Sequence, residues 1–152
     1  MNIKKLCLVC SSGGHLKQLY LLKPFWQKYN RFWVTFSKID AISLLKDEKV
    51  YFAYYPTNRN FKNLIKNTFL ALKILRKEKP DLIISNGAGV AVPFFYIGKI
   101  IGAKLIYIEV YDRIDLPTLT GKLVYPICDK FILQWPQQKK FYSKGIYIGS
   151  IL

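Results

Sequence analysis

Two apolar patterns alternate along the chain: short unbroken runs, and longer stretches with helical spacing. The runs KKLCLVC (Lys4–Cys10), RFWVTF (Arg31–Phe36), VYFAYY (Val50–Tyr55), DLIISN (Asp81–Asn86), KLIYIEV (Lys104–Val110) and KFILQ (Lys130–Gln134) predict strands, with GIYIG (Gly145–Gly149) as a short last one. Between them, His15–Tyr29 has helical spacing through Leu16, Leu19, Tyr20 and Leu22; Pro24 kinks it or opens a separate turn. Asp40–Asp47 predicts a short helix with Asp40 as N-cap. Asn60–Pro80 is the clearest helix: Phe61, Leu64, Ile65, Thr68, Leu72 and Leu75 share a face, and Pro80 stops it. Further helices are expected over Val90–Ile101, closed by Gly102, and near Leu119–Ile127.

This is a β-α-β-α series. Near-continuous apolar strands that alternate with helices imply a parallel sheet covered on both faces, with right-handed crossovers. No repeat or linker interrupts it, so residues 1–152 read as a single Rossmann-like α/β domain. Such sheets bind ligands at the carboxyl ends of their strands. Three polar segments fall there: Ser11–His15, Asn86–Gly89 and Glu109–Asp115.

Composition adds a partner class. Hydrophobic residues make up 51% and aromatic residues 16%, which excludes a disordered chain and leaves apolar surface for a partner or a lipid headgroup layer. Lys and Arg number 24 against 9 Asp and Glu, a net charge of +15. That field attracts nucleic acid, an anionic membrane or a diphosphate substrate, although solvated lysines account for part of it. No helix-turn-helix, zinc or RNP-like pattern accompanies the charge, so nucleic acid is not expected. The basic residues Lys62, Lys66, Lys73, Arg76 and Lys77 flank an amphipathic helix. Phe94, Phe95, Tyr96, Ile97, Ile100 and Ile101, beside Lys99, offer an edge that could insert into lipid. No secretory signal is visible and no stretch reaches the roughly 20 apolar residues of a span. The expected location is therefore cytoplasmic, peripheral on the inner face of the cell membrane. The three cysteines make no disulfide framework; Cys7 and Cys10 within one strand point to opposite faces and read as reduced and structural.

The chemistry concentrates in the three strand-end segments. In SSGGH, Gly13 and Gly14 allow close backbone approach, the helix start presents free N–H groups, and Ser11 and Ser12 add hydroxyl donors, a set suited to phosphate oxygens. His15, the chain's one histidine, can donate to a phosphate, act as a general base, or simply cap the turn. The pattern is not G-x-G-x-x-G, so a dinucleotide is not favoured. SNGAGVAVP repeats the logic, with Gly87 and Gly89 forming a turn and Asn86 available as a polar ligand. EVYDRID places Glu109, Asp112, Arg113 and Asp115 past a buried strand, where the carboxylates could orient a sugar hydroxyl or pair with Arg113 and neighbouring lysines.

Four pieces carry a family resemblance: SSGGH (Ser11–His15), NGAGVAVP (Asn86–Pro93), the long IEVYDRIDLPTLTGKLVYPICDKFILQWP (Ile108–Pro136) and YIGSIL (Tyr147–Leu152). Across essentially its whole length the chain resembles PssD-type polysaccharide biosynthesis proteins. These are the acceptor-side, membrane-side subunits of split GT-B glycosyltransferases, related to the membrane-recruiting half of the eukaryotic dolichol-linked GlcNAc transferase and to the N-terminal domain of MurG. Three positions depart from the family pattern: Ser11 stands for a glycine, Ala88 for the proline of N-G-P-G, and Val110 for a serine.

The resemblance implies the N-terminal half of a GT-B fold working with a separate donor-binding subunit of the PssE type. The pair would be an inverting glycosyltransferase, with neither metal nor cofactor, that moves a sugar from a UDP-sugar to a polyprenyl-diphosphate-linked sugar in capsule or exopolysaccharide synthesis. His15 and Glu109 would be the candidate catalytic bases. Ser11, Ser12, Gly13, Gly14, Asn86, Gly87, Gly89 and Arg113 would be the substrate- and phosphate-binding set. The alternative is a non-catalytic adaptor that recruits or stimulates a partner transferase; a stand-alone nucleotide-binding module is a third reading.

Overall fold

The computed structural model describes residues 3–150. Seven strands form a single sheet in which every neighbouring pair runs parallel. They are β1 (Lys5–Cys10), β2 (Asn30–Phe36), β3 (Val50–Ala53), β4 (Leu82–Gly87), β5 (Lys104–Ile108), β6 (Lys130–Leu133) and β7 (Ile146–Tyr147). Their spatial order is β3-β2-β1-β4-β5-β6-β7. The Rossmann-like parallel sheet expected from the apolar runs is therefore present.

Helices cover both faces. On one side α1 (Gly14–Tyr20), α2 (Lys23–Trp26) and α3 (Ile39–Leu44) bring Leu16, Leu19, Trp26 and Ala41 against Leu6, Leu8, Cys10 and Trp33. On the other, α4 (Phe61–Glu78), α5 (Ala91–Ile100) and α6 (Leu119–Val124) bring Ala71, Ile74, Leu75, Phe94, Phe95 and Val124 against Cys7, Val9, Phe32, Ile83, Leu105 and Phe131. Each large side chain so buried contributes roughly 1.5–3 kcal/mol. Cys7 and Cys10 sit in opposite layers, as the strand period requires, and both thiols are free. Burial, first of all, raises the pKa of both.

Several boundaries differ from expectation, each for a physical reason. The predicted His15–Tyr29 helix is two: α1 ends at Tyr20, and Pro24 lies in the first turn of α2, where its missing N–H costs nothing. Lys38, not Asp40, occupies the N-cap of α3, and Asp40 reaches across the strand ends instead. β3 stops at Ala53 because the next backbone pair is diverted: Tyr54 N–H donates to Asn67 Oδ1 and Asn67 Nδ2 donates to Tyr54 O, both at 2.9 Å. Of the six residues expected to share a face of α4, only Leu75 is fully buried. The face that meets the sheet runs through Asn67, Ala71, Ile74, Leu75 and Glu78, and Phe61, Leu64 and Ile65 are exposed. Glu78 is tolerated there because Lys5 and Lys49 pair with it at 2.8 and 2.6 Å and the Tyr51 hydroxyl donates to it. Half of the apolar edge expected on α5 is core: Phe94, Phe95 and Ile97 are buried, leaving Tyr96, Ile100 and Ile101 outside.

β1 and β4 are adjacent, and the chain leaves them toward opposite edges of the sheet. Their carboxyl ends border the crevice where such sheets take ligands.

Candidate active site

The site begins with an irregularity in the β1–β4 ladder. Val9 pairs with Ser85 and Cys10 with Gly87, so Asn86 drops out of register. A bulge of this kind re-aims a backbone group. Here the Asn86 carbonyl accepts from His15 Nδ1 at 3.0 Å, and Asn86 Nδ2 donates to the His15 carbonyl at 2.7 Å. The reciprocal pair clamps the first turn of α1 to the end of β4.

That clamp decides the chemistry of His15. A carbonyl can only accept, so Nδ1 carries the proton and Nε2 carries the lone pair. Burial lowers the imidazole pKa from 6.5, against the Asn86 hydrogen bond and the nearby charges of Asp112 and Glu109, which raise it. A neutral ring with an Nε2 lone pair is suited to receive a proton, and not to present a charged donor to phosphate. The ring lies over Gly87. There φ is +120°, and an added Cβ would lie 3.0 Å from both His15 Cε1 and the Tyr107 hydroxyl. Only glycine fits that floor. His15 walls a small pocket of about 140 Å³ together with Tyr107, Asp112, Arg113, Thr118 and Thr120.

The glycine turns do less for phosphate than their sequence suggests. Gly13 N–H donates to Asp40 Oδ2 at 2.6 Å and Gly87 N–H donates to Ser85 Oγ at 3.0 Å, so two of the expected amide donors are taken. The Asp40 carboxylate also repels an anion at the first turn. Ser11 and Ser12 are half-buried beside it, and the space above Gly14 is open. Gly89 is not among the residues lining the His15 pocket, and a Cβ added there would lie 3.1 Å from the Thr57 carbonyl. Asn86, expected as a ligand, is wholly buried and serves the clamp. Ala88 has φ +56°, which proline cannot adopt, so this turn differs from an N-G-P-G turn.

Glu109 is likewise placed as a support. Its carboxylate is fully buried and accepts from Val110 N–H (2.9 Å), Thr118 Oγ1 (2.9 Å) and the Tyr142 hydroxyl (2.5 Å). Thr118 Oγ1 in turn accepts from Gly121 N–H at 2.9 Å as the N-cap of α6. Burial, then the Glu109 hydrogen bond, raises the Tyr142 pKa. The network ties α6, and the C-terminal segment that carries Tyr142, to the end of β5. Gly121 is required by crowding: an added Cβ would meet the Tyr142 hydroxyl and lie 2.5 Å from Glu109 Oε2.

Arg113 is exposed at the pocket rim while its carbonyl accepts from Gln138 Nε2 at 2.8 Å, and Asp115 pairs with Lys140 at 3.4 Å. Of the sequence-derived set, the fold brings together His15, Asn86, Gly87, Glu109 and Arg113. Tyr107, Thr118 and Thr120 were not foreseen; the N-cap threonine before LTGKLV was the one local signal for this cluster.

Outside the pocket, α4 carries an exposed stripe of Phe61 (73% exposed), Ile65 (45%) and Phe69 (68%) between Lys62, Lys66 and Lys73. Among the described residues no helix is long and apolar enough to cross a membrane. Of YIGSIL, Ile151 and Leu152 lie outside the described residues.

Comparison with known proteins places this architecture. Residues 6–151 match the family described as "Oligosaccharide biosynthesis protein Alg14 like". The human UDP-N-acetylglucosamine transferase subunit ALG14 is 27% identical over 95% of this chain and 82% of its own length. The Candida albicans subunit of the same name is 31% identical over 97% and 78%. A UDP-N-acetylglucosamine–N-acetylmuramyl-(pentapeptide) pyrophosphoryl-undecaprenol N-acetylglucosamine transferase of Geobacillus kaustophilus is 34% identical over 62% of this chain and 27% of its own. Among solved structures, Acinetobacter baumannii MurG superposes with a TM-score of 0.74 at 18% identity, over 88% of this chain and 42% of MurG. The Rickettsia bellii UDP-N-acetylglucosamine 2-epimerase gives 0.73 at 14%, over 99% and 46%. The chain thus spans less than half of each of these two folds.

Proposed function

The chain belongs to the Alg14-like family of oligosaccharide biosynthesis proteins, and on that premise we propose that it is the acceptor-side half of a two-chain GT-B glycosyltransferase. As one domain, residues 1–152 would pair with a separate donor-binding subunit of the PssE type. The donor is a UDP-sugar and the acceptor a sugar on a polyprenyl diphosphate, in capsule or exopolysaccharide synthesis. The relatives' names support the class: UDP-N-acetylglucosamine transferase subunits, and a transferase acting on a pyrophosphoryl-undecaprenol.

One observation carries the mechanism: the Nδ1–H of His15 is committed to Asn86 O, which leaves the Nε2 lone pair on a ring that walls the pocket. In the proposed reaction an acceptor hydroxyl sits against Nε2. As its oxygen attacks the anomeric carbon, the proton moves to Nε2 and UDP departs from the opposite face, inverting the centre. The Asn86 carbonyl stabilises the imidazolium that forms. Asp112 and Arg113 hold sugar hydroxyls or phosphate at the rim. Glu109 acts through Thr118 as a positioning residue. Such a base contributes about 10²–10⁴-fold.

The assay is sugar transfer by the reconstituted pair. His15→Ala is expected to lower kcat by at least 100-fold while co-purification with the partner persists. Activity within twofold of wild type would remove the base role. A partner fully active alone and merely stimulated by this chain would favour the adaptor reading. Removal of Gly149–Leu152 is expected to weaken pairing.

The α4 stripe, in place of α5, is proposed as the contact with the inner face of the membrane. Its aromatic residues meet the acyl boundary and its lysines the anionic headgroups.

A further inference from the structure

Beside the His15 pocket runs a second, larger depression of about 350 Å³, in the range of roughly 300–1,000 Å³ typical of small-molecule sites. Phe61 and Leu64 of α4, Val92 of α5, and Leu119 and Leu123 of α6 supply its apolar walls. Arg59 is the one charged side chain among the described residues that line it. Thr120 lines both this groove and the His15 pocket, so the two adjoin.

The groove is preformed. Asn63 Nδ2 donates to Pro56 O at 2.8 Å and Asn60 Oδ1 accepts from Asn63 N–H at 2.9 Å, which pins the loop before α4. Thr57 of that loop packs on Gly89, where an added Cβ would lie 3.1 Å from the Thr57 carbonyl. Arg59 is held with φ +50°, a conformation that non-glycine residues adopt at a cost. An exposed cation beside an apolar trough, whose walls include the exposed Leu119 and Phe61 of the α4 stripe, complements an anionic head on an apolar chain.

We propose that this groove binds the first isoprene units of the lipid-linked acceptor, with Arg59 on its diphosphate. The proposal rests on the transferase reading and extends it. It moves the diphosphate from the glycine turn, where Asp40 already holds the Gly13 amide, to Arg59. The order of contacts is then sugar at His15, diphosphate at Arg59, and prenyl chain along Leu64, Leu119 and Leu123 toward the bilayer. Each methylene removed from water tightens binding roughly fourfold, so the chain supplies affinity and Arg59 supplies register.

The test is direct binding to the full chain by titration calorimetry, with farnesyl diphosphate below its micellar concentration, inorganic pyrophosphate and farnesol. Farnesyl diphosphate is expected to bind at least tenfold tighter than either fragment. Arg59→Ala and Leu119→Ser, both at exposed positions, are expected to weaken farnesyl diphosphate at least threefold each, and His15→Ala not at all. Thermal melts check that each variant is folded. A loss below threefold in both variants, or pyrophosphate binding as tightly as farnesyl diphosphate, overturns the assignment. The two readings fail separately. An active His15→Ala pair refutes the base and leaves the groove standing. An unaffected Arg59→Ala with an inactive His15→Ala refutes the groove alone.

Discussion

Replacing Gly87 with alanine tests whether the floor of the site holds the imidazole where the mechanism needs it. The backbone there has φ +120°, so a side chain imposes strain of about 1–3 kcal/mol before any contact is counted. The new methyl would then stand 3.0 Å from His15 Cε1 and from the Tyr107 hydroxyl. Tyr107 is fully buried and stacked on Phe131, so it cannot yield; the half-buried His15 ring must. Crowding of this kind adds about 1 kcal/mol or more. A total near 3 kcal/mol is expected, read as a loss in urea unfolding, or about 6–12 °C in Tm for a domain of this size.

The second readout is specific to the site. His15 is the chain's one histidine, so a proton NMR titration follows a single imidazole. In the wild type its pKa is expected below 6.5, because burial outweighs the Asn86 bond and the acidic neighbours. Ejecting the ring relieves burial, the dominant cause, and loses the smaller opposing bond, so the pKa rises toward 6.5. A variant within about 1 kcal/mol of wild type, with the same titration midpoint, would refute the packing argument.

Other perturbations probe separate parts of the molecule. Gly121→Ala drives a methyl into the Glu109–Tyr142–Thr118 network and should cost about 3 kcal/mol or more, whereas Gly14→Ala, with nothing within 4 Å, should stay within about 1 kcal/mol in the same urea series. At Glu78, burial raises the carboxyl pKa but hydrogen bonds from Lys49, Lys5 and Tyr51 outweigh it and hold it at about 2, against 4.5 unfolded. Its stabilisation is therefore complete above about pH 4.5 and lost as pH falls through 2, so the stability gap between wild type and Glu78→Gln should close over that window. Flotation with anionic vesicles should recover the protein, weaken with salt and fall in Phe69→Ser; equal recovery with neutral vesicles would remove the role of Lys62, Lys66 and Lys73.

The sheet was readable in advance because its strands are buried on both faces and therefore apolar without interruption. Alternation alone also assigned Cys7 and Cys10 to opposite layers. The α4 face was misread for the complementary reason. Asn67 and Glu78 lie on the core side at helical spacing with Ala71 and Ile74, but they are polar, and a hydrophobic pattern passes over them. Their partners, the Tyr54 backbone and the pair Lys5 and Lys49, come from distant segments. The site divides the same way. The position of His15 and the glycine turns at the switch point followed from the strand–helix order. That Asp40 would take the Gly13 amide, that Asn86 would bulge out of β4, and that Glu109 would be enclosed by Thr118 and Tyr142 could not follow, since each contact joins segments 9 to 71 residues apart.

Tyr142 closes the pocket's support from a segment 33 residues beyond Glu109 in the chain. Until that residue emerges, Glu109 is a bare carboxylate in a half-built interior and α6 has lost part of its anchor. A nascent chain therefore holds its first five strands without a finished pocket wall. Chains cut before Tyr142 should therefore keep the outline of the sheet and lose the ordered wall of the pocket.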